Sequence, residues 1–298
     1  RLNSDTASAG QINPAVAASG SRAVIAWQDE RDLQPHIYAR LVTWPGGFAG
    51  DEFQVPVAAA GSSVPAPSAV RSLPAVSVLP NGEFAVFWAE GPPKRIALKA
   101  QVFHADAHPS GEPVLVRELG RAPTRIAAVA LAGDRGYLLA WDDLIGRSIW
   151  VTRLAPDGSV AEPRKIADAP KGSVQEPSLA MLEGDRSIAG WSSSPAGGAW
   201  TVRARFLDLD GAPQGEELGF ERTMRGQDWD PSLAPASGGG FVMSWCSGAR
   251  SDPGKDVVAR LFDAHGRPAG PLLPISPLSN EQDHGHVIRL ADGSWAVA

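Results

Sequence analysis

Charged side chains that could bind or transform a ligand follow a set of repeated tryptophans. After Trp27, Trp88 and Trp141 the chain has short polar segments that contain carboxylates. The candidate residues in these segments are Asp29, Glu30, Arg31, Asp32, Glu90, Asp142 and Asp143. Functional residues lie disproportionately on loops that a rigid scaffold positions, so we predict that these side chains belong to a ligand-binding surface.

A second group of candidate residues precedes an apolar strand in each of the last two repeats. The group comprises Arg225, Asp228, Trp229, Asp230, His284 and His286. Because strand direction alternates in an antiparallel sheet, these segments and the segments after the tryptophans leave the sheets on the same side. We therefore predict one loop face that contains both groups.

Two short patterns could hold a metal ion. His284 and His286 are separated by one residue and can share a metal when the backbone is extended, but the sequence identifies no third ligand. The acidic segments 228–230 and 142–143 could offer oxygen ligands to Ca²⁺, yet neither has the full spacing of a calcium loop. The sequence therefore does not identify a metal ligand set. We predict no cofactor, and a bound calcium ion is the alternative.

No catalytic motif is present that would assign an active-site residue. The sequence has no Gly-x-Ser-x-Gly nucleophile elbow, no phosphate-binding loop and no dinucleotide glycine fingerprint. The sialidase box, Ser-x-Asp-x-Gly-x-x-Trp, is also absent. Glycosidase chemistry with two carboxylates stays open, because the two acids need no proximity in sequence.

Composition excludes several classes of function. The chain has 298 residues and a formal net charge of −6, and its Lys and Arg residues are dispersed rather than clustered. Nucleic acid is therefore not an expected partner, because phosphate binding requires clustered basic residues. No apolar run is long enough for a membrane-spanning helix. The single cysteine, Cys246, excludes an intramolecular disulfide bond.

An internal repeat of about 50 to 60 residues organises the chain. A tryptophan closes a short apolar run in each of five copies: Trp27, Trp88, Trp141, Trp191 and Trp245. A proline precedes four of them, at Pro14, Pro74, Pro177 and Pro231, whereas Ala127 and Gly285 replace it in the third and sixth copies. A second apolar strand, a tight turn such as Pro156-Asp157-Gly158 and a short closing strand complete each unit.

The apolar runs before the tryptophans are hydrophobic at nearly every position, which predicts strands that are covered on both faces. Four short strands in each unit match one blade of a β-propeller. We predict an all-β fold, a single β-propeller domain of four-stranded antiparallel blades spanning residues 1–298. Six blades are expected, with seven as the alternative. The units are 4–55, 56–116, 117–166, 167–220, 221–275 and a partial unit, 276–298.

The last unit stops at Ala298, partway through its tryptophan strand. We therefore expect the last blade to be incomplete in this chain. We also expect the native protein to continue for about 30 residues or more, enough to finish one blade.

The repeat resembles arrays in large bacterial secreted and surface proteins. Those arrays follow the pattern Pro-x-Val, Gly-Gly-Phe-Val-Val-x-Trp, Ile-x-Ala-Arg-x-Phe and Gly-x-Glu-Phe-x-Val. The segments that match best are Gly239–Trp245, Val257–Phe262 and Gly50–Val55. The resemblance implies export from the cytoplasm and a propeller-like architecture, but it identifies no active-site residue.

Residues that recur once in every unit are interpreted as parts of the scaffold. The tryptophans are expected in the core rather than on a sugar-binding platform. The residues Arg40, Gln101, Arg153, Arg205 and Arg260 lie in the middle of the third strands. They are expected to pair with a carboxylate or with backbone carbonyls of a neighbouring blade.

Three hypotheses about function remain. The leading prediction is a non-catalytic binding module that recognises a carbohydrate or protein partner through the loop face, in an extracellular, cell-surface or periplasmic location. The first alternative is a propeller hydrolase or lyase with a central site, to which residues such as Glu30, Asp143, Arg225 and His286 would contribute. The second alternative is a structural array within a larger polypeptide.

Overall fold

The computed structural model describes residues 3, 9–31, 35–56, 71–92, 94–220, 226–248, 255–275 and 285–298. In these ranges the chain forms β-strands and two single-turn 3₁₀ segments, and it contains no α-helix. Residues 1–138 with 153–162 form one compact unit, and residues 139–152 with 163–298 form a second. The prediction of an all-β propeller built of four-stranded antiparallel blades is confirmed.

The first three blades occupy the amino-terminal half of the chain. The first consists of β1 (Gln11–Ser19), β2 (Arg22–Asp29), β3 (His36–Thr43), β4 (Gly47–Phe48) and β5 (Phe53–Val55), which pairs with β3. The second consists of β6 (Arg71–Val78), β7 (Phe84–Glu90), β8 (Ile96–Phe103) and β9 (Val114–Leu119). The third consists of β10 (Ile126–Ala130), β11 (Tyr137–Asp143), β12 (Ser148–Leu154) and β13 (Arg164–Asp168). The division between the two compact units passes through the third blade.

Two further blades and a strand pair follow. The fourth blade consists of β14 (Ser173–Met181), β15 (Ser187–Ser194), β16 (Thr201–Leu207) and β17 (Pro213–Gly219). The fifth consists of β18 (Asp228–Pro235), β19 (Phe241–Ser247), β20 (Asp256–Phe262) and β21 (Leu273–Pro274). The prediction of six or seven blades is wrong, because the described residues form five. The sixth repeat contributes only the two-stranded sheet of β22 (Val287–Arg289) and β23 (Trp295–Val297).

The second strand of each blade is the main source of the hydrophobic core. Strands β7, β11 and β19 are buried along almost their whole length, which explains why their sequences do not alternate between apolar and polar residues. In the second unit, Phe241 and Met243 of β19 share a cluster with Ile188 of β15. Neighbouring blades therefore cover both faces of these strands.

The repeated tryptophans belong to this core, as predicted, and their exposed fraction is between 0% and 5%. Three of them donate an indole N–H to a carboxylate of the same blade. The pairs are Trp27 with Asp29 (3.0 Å), Trp88 with Glu90 (3.0 Å) and Trp245 with Asp228 (3.1 Å). In the fifth blade the acid comes from the first strand, where Asp228 lies opposite Ser247. The acid satisfies a buried donor that would otherwise destabilise the core.

The residues in the middle of the third strands bind backbone carbonyls, but mainly in their own blade rather than in a neighbouring blade, where the partners were predicted. In four blades the acceptor is the carbonyl of a glycine that follows in the same blade. These contacts are Arg40–Gly50 (3.1 Å), Gln101–Gly111 (2.9 Å), Arg205–Gly215 (3.3 Å) and Arg260–Gly270 (2.9 Å). The expectation of a partner in a neighbouring blade is confirmed for Arg205, which also donates to Ile166 O at 3.0 Å.

A bulge with unusual backbone geometry recurs in the first strands. Asn13, Leu73, Glu176 and Asp230 have φ values of 51°, 54°, 58° and 57°, and each precedes one of the repeated prolines. The pairing register with the second strand shifts at each of these positions. Positive φ costs a residue other than glycine about 1–3 kcal/mol, so the surrounding sheet must hold this conformation. The third blade, which lacks the proline, has no such residue in β10.

Serine hydroxyls connect adjacent first strands in the second unit. Ser178 Oγ of β14 accepts a hydrogen bond from Leu233 N of β18 at 3.1 Å. One blade later, Ser232 Oγ accepts from Val287 N of β22 at the same distance. Both serines follow the proline of the bulge. These bonds fix the positions of neighbouring bulges relative to each other, because no β-ladder joins the first strands of adjacent blades.

Replacing Glu90 with glutamine tests the internal ion pairs of the second blade. Arg71 and Lys99 each approach the Glu90 carboxylate to 2.8 Å. Burial opposes ionisation, but the hydrogen bonds from Lys99, Arg71 and Trp88 outweigh it and lower the pKa of Glu90 to about 2. Glu90→Gln is expected to lower the free energy of unfolding at pH 7 by about 2–3 kcal/mol in urea titrations.

The folded pKa of Glu90 lies below its unfolded value, so its contribution to stability is complete above about pH 4.5 and is lost as the pH falls towards 2. The difference between the wild type and Glu90→Gln should therefore shrink across this interval. Glu118→Gln, on the exposed side of β9 in the same blade, serves as the control. An identical pH dependence of the wild type and Glu90→Gln would contradict the assignment.

Removing a serine tie tests the connection between first strands. Ser178→Ala and Ser232→Ala each leave a buried backbone N–H without its acceptor, which is expected to cost about 1–3 kcal/mol of unfolding free energy. Ser294→Ala, whose hydroxyl bonds only to Asp292 in an exposed turn, should change stability far less. Equal effects of the buried and exposed substitutions would show that the ties add nothing.

Candidate active site

Two acidic residues occupy the bulges of neighbouring first strands in the second unit. Glu176 lies in β14 and Asp230 lies in β18, and each is the positive-φ residue before the repeated proline. Asp230 is 2% exposed, whereas Glu176 is half-buried. The equivalent residues of the first two blades, Asn13 and Leu73, carry no charge. The fold therefore places two carboxylates at equivalent sites of adjacent strands.

A short hydrogen-bond network connects these two positions through Ser192 of β15. Ser192 Oγ donates to Glu176 Oε2 at 2.5 Å and accepts a bond from Asp230 N at 2.8 Å. Asp230 N also lies 3.1 Å from Glu176 Oε2. Gln175 Nε2 donates to Glu176 Oε1 at 3.3 Å, and Gln175 faces Ser192 in the strand register. The Glu176 carboxylate is thus held directly against the backbone of Asp230.

The contacts of Glu176 can be compared with those of Glu90 in the second blade. Ser192, Gln175 and the Asp230 backbone donate hydrogen bonds to the Glu176 carboxylate. Arg71 and Lys99 bind Glu90 directly and help to hold its pKa low. The hydroxyl, amide and backbone donors fix the orientation of the Glu176 carboxyl group.

Asp228 lies two residues before Asp230, but the structure gives it a different role. Its side chain is 1% exposed and accepts the Trp245 indole N–H, so it supports the core. Trp229, between the two acids, is 3% exposed and packs against Cys246 and Val257. Of the three predicted residues in this segment, Asp230 is the one whose backbone N–H bonds to Glu176 and Ser192.

The predicted residues of the first blade form an internal ion-pair network. Arg31 binds Asp29 at 2.7 Å and Glu52 at 2.6 Å, and its guanidinium lies 4.0 Å from the centre of the Tyr38 ring. Burial opposes ionisation of Asp29, but bonds from Arg31 and from the indole of Trp27 outweigh it and lower the pKa of Asp29. Burial likewise opposes the charge of Arg31, yet its bond to Asp29 raises the pKa of Arg31.

The other predicted residues that the structure describes follow β2, lie in β11 or precede β22. The backbone N–H of Glu30 donates to Gly10 O at 3.0 Å, and Asp142 in β11 is fully buried. Asp143 accepts hydrogen bonds from Ile145 N at 3.1 Å and Gly146 N at 2.9 Å, so it stabilises the turn after β11. His286 is exposed, and its backbone pairs with Ala298. Asp32, Arg225 and His284 lie outside the described residues.

Glu176 was absent from the predicted site, although a signal for it exists in the sequence. It precedes Pro177 as Asp230 precedes Pro231, so an alignment of the repeats on their prolines places the two acids at one position. The sequence prediction placed the binding site in loops, whereas Glu176 lies at a bulge within a strand.

Neither a metal cluster nor a membrane-spanning helix is found in the part of the chain that the structure describes. No group of three or more His, Cys, Asp or Glu side chains there could hold a metal ion. No helix in the same residues is long and apolar enough to cross a membrane.

Comparison with known proteins identifies structural likeness but no sequence family. No protein-family model matches the chain, and no curated protein matches its sequence. An α-L-arabinanase from Penicillium chrysogenum, solved with arabinobiose, is similar in structure, with a TM-score of 0.61 and 12% identity. That match covers 95% of this chain and 86% of the arabinanase.

Two further structures are similar at the same level. The NanB sialidase of Streptococcus pneumoniae has a TM-score of 0.66 at 8% identity, and the match covers 100% of this chain and 66% of the sialidase. A protein of unknown function from Dyadobacter fermentans has a TM-score of 0.62 at 11% identity, with 97% and 89% of the two chains covered. At these identities the likeness shows the fold.

The prediction of a non-catalytic binding module is corrected by this comparison. Two of the structural neighbours described above, the arabinanase and the sialidase, are glycoside hydrolases. The absence of a sequence motif had favoured binding over catalysis, but two carboxylates from separate strands produce no motif. The alternative of a propeller hydrolase is therefore better supported.

Proposed function

We propose that this protein is a glycoside hydrolase whose active site contains Glu176 and Asp230. The observation that supports this proposal is the placement of two carboxylates at the equivalent bulges of β14 and β18. Most glycoside hydrolases use a pair of Asp or Glu residues, one as a proton donor and the other as a base or nucleophile. The structural likeness to an arabinanase and a sialidase agrees with that chemistry.

The surroundings of the two acids suggest a division of roles. Glu176 is half-buried and is oriented by the Ser192 hydroxyl and the Gln175 amide, and we assign it as the proton donor to the leaving oxygen. Asp230 would then act as the ionised partner that activates water or attacks the sugar. Ser192 touches both positions and is assigned as a positioning residue.

A location outside the cytoplasm belongs to the same proposal. The resemblance of the repeat to arrays of exported bacterial proteins supports an extracellular, cell-surface or periplasmic location. A polymeric glycan is a substrate that an enzyme in any of these locations would meet. The absence of a sialidase box argues against sialosides as the substrate.

The two carboxylates can be tested by amide substitution. The protein is assayed for release of reducing ends from arabinan, galactan, xylan and pectic glycans. Glu176→Gln and Asp230→Asn are each expected to lower kcat by about 10²–10⁴-fold on the glycan that the wild type cleaves. Circular dichroism and melting should remain close to the wild type.

Glu183→Gln provides a matched control for the amide substitutions. Glu183 is an exposed residue in the turn between the strands of Glu176 and Ser192, so its replacement removes the same charge from the same blade. Full activity of both Glu176→Gln and Asp230→Asn, or absence of hydrolysis by the wild type on every glycan, would refute the proposal.

Ser192→Ala tests the positioning role through the separate effects on kcat and KM. The Ser192 hydroxyl donates to Glu176 Oε2 and fixes the orientation of that carboxyl group, so its removal should leave the carboxyl group poorly placed for the reaction. We expect kcat to fall with little change in KM.

The control for this variant is Ser187→Ala in the same strand. Among the described residues, the buried hydroxyl of Ser187 has no hydrogen-bond partner, so its removal makes a similar cavity without touching Glu176. An equal fall of kcat in both variants would show that packing of β15, and not the bond to Glu176, limits turnover.

A further inference from the structure

A cavity of about 470 Å³ opens at one end of β15 in the fourth blade. Three segments line it: the turn before β14, the end of β15 with its following loop, and the beginning of β16. Lining residues with polar side chains are Lys171, Ser193, Ser194, Thr201 and Arg203. All of these residues belong to the second compact unit, which also contains Glu176 and Asp230.

Among the described residues that line this cavity, the charged side chains are Lys171 and Arg203, and both are positive. Glu217 lies 3.8 Å from Arg203 Nη1, and both side chains are 39% exposed. A long ion pair between exposed groups is worth little in water, so Arg203 stays available to a ligand. Its planar fork matches a carboxylate in two parallel hydrogen bonds.

The rim of the cavity is held in place by its own hydrogen bonds. Ser194 Oγ donates to Gly198 O at 2.9 Å, and Thr201 Oγ1 donates to Ser193 O at 3.2 Å. The backbone of Gly172 passes so close to Ser194 that an added Cβ would lie 2.1 Å from the Ser194 carbonyl oxygen. These contacts give the cavity a defined shape before a ligand arrives, as is usual for small-molecule sites.

The cavity and the proposed active site are connected along one pair of strands. Ser173 faces Ser194 at the rim, and Gln175 faces Ser192 at the carboxylates. Glu176 follows Gly172 by four residues, which corresponds to about 13 Å of extended strand. A glycan chain cleaved at Glu176 can therefore place another of its sugars in the cavity.

We infer that the cavity at Lys171 and Arg203 is a subsite that binds the carboxylate of a uronic acid in the glycan substrate. This inference rests on the proposed hydrolase function for its substrate class. Arg203 binds the carboxylate from one side and Lys171 supplies a second positive charge. The acidic sugar in this subsite fixes the register of the glycan chain relative to Glu176.

The test measures binding separately from hydrolysis. Titration calorimetry with the slow variant Glu176→Gln compares a trimer of galacturonic acid with its methyl ester, which has the same sugars and linkages but no charge. The acid is expected to bind at least tenfold more tightly than the ester, and its affinity should fall as salt is added. In the same background, Arg203→Ala and Lys171→Ala should each remove most of this preference.

Lys165→Ala is the matched control, because it removes one positive charge from a lysine that pairs with Asp168. Equal affinity for the acid and the ester, or loss of the preference in Lys165→Ala alone, would overturn the inference. That result leaves the hydrolase proposal intact if the wild type still cleaves neutral glycans. A preference for the acid without any hydrolysis would instead refute the enzyme and retain the subsite.

Discussion

The burial of each second strand on both of its faces is the constraint on which the rest of this structure depends. Strands β15 and β19 present no wetted face, because side chains of adjacent blades cover them. Chemistry is therefore restricted to strand ends, connecting loops and the bulges of the first strands. Polar groups in the covered region need partners there, and the indoles of Trp27, Trp88 and Trp245 each donate to a carboxylate of the same blade.

The acids of this protein divide into two kinds according to their donors. Asp29 and Glu90 satisfy buried indoles and bind arginine or lysine, so their charge is part of the folded core. Glu176 accepts from a hydroxyl, a side-chain amide and a backbone N–H instead. The first arrangement ties a charged acid to the core, whereas the second fixes the orientation of a carboxyl group at a strand bulge.

Much of the fold could be predicted from the sequence because its signals are local. Continuous apolar runs, the repeated tryptophan and the Asp-Gly turns each describe one strand or hairpin, and the four-stranded blade follows from their order. The number of blades could not be predicted in this way, since the sixth repeat forms only the pair of β22 and β23. The candidate loop acids were harder to interpret. Asp29 lies two residues after Trp27 on the same face of its strand, where it meets the indole rather than a ligand.

The proposed site was only half predicted, for a related reason. Asp230 was selected as a loop residue, and Glu176 was missed because it lies within a strand whose bulge cannot be seen in a hydrophobic pattern. The two acids are separated by a whole blade in sequence, and only the packing of β14 against β18 brings them together. In the sequence, the repeated proline is the only mark of this geometry. The positive φ of the residue before it is seen only in the backbone of the structure.

The repeated bulge also bears on how such a scaffold could change its chemistry. Four blades keep the same backbone at this point while the side chain varies from amide to alkyl to carboxylate, at Asn13, Leu73, Glu176 and Asp230. The conformational cost is met by the sheet and the following proline, whatever side chain is present. Each of these blades thus has one bulge position at which the side chain can change while the fold stays the same. Diversification of activity among such repeats then requires substitutions at a few positions instead of insertions in the loops.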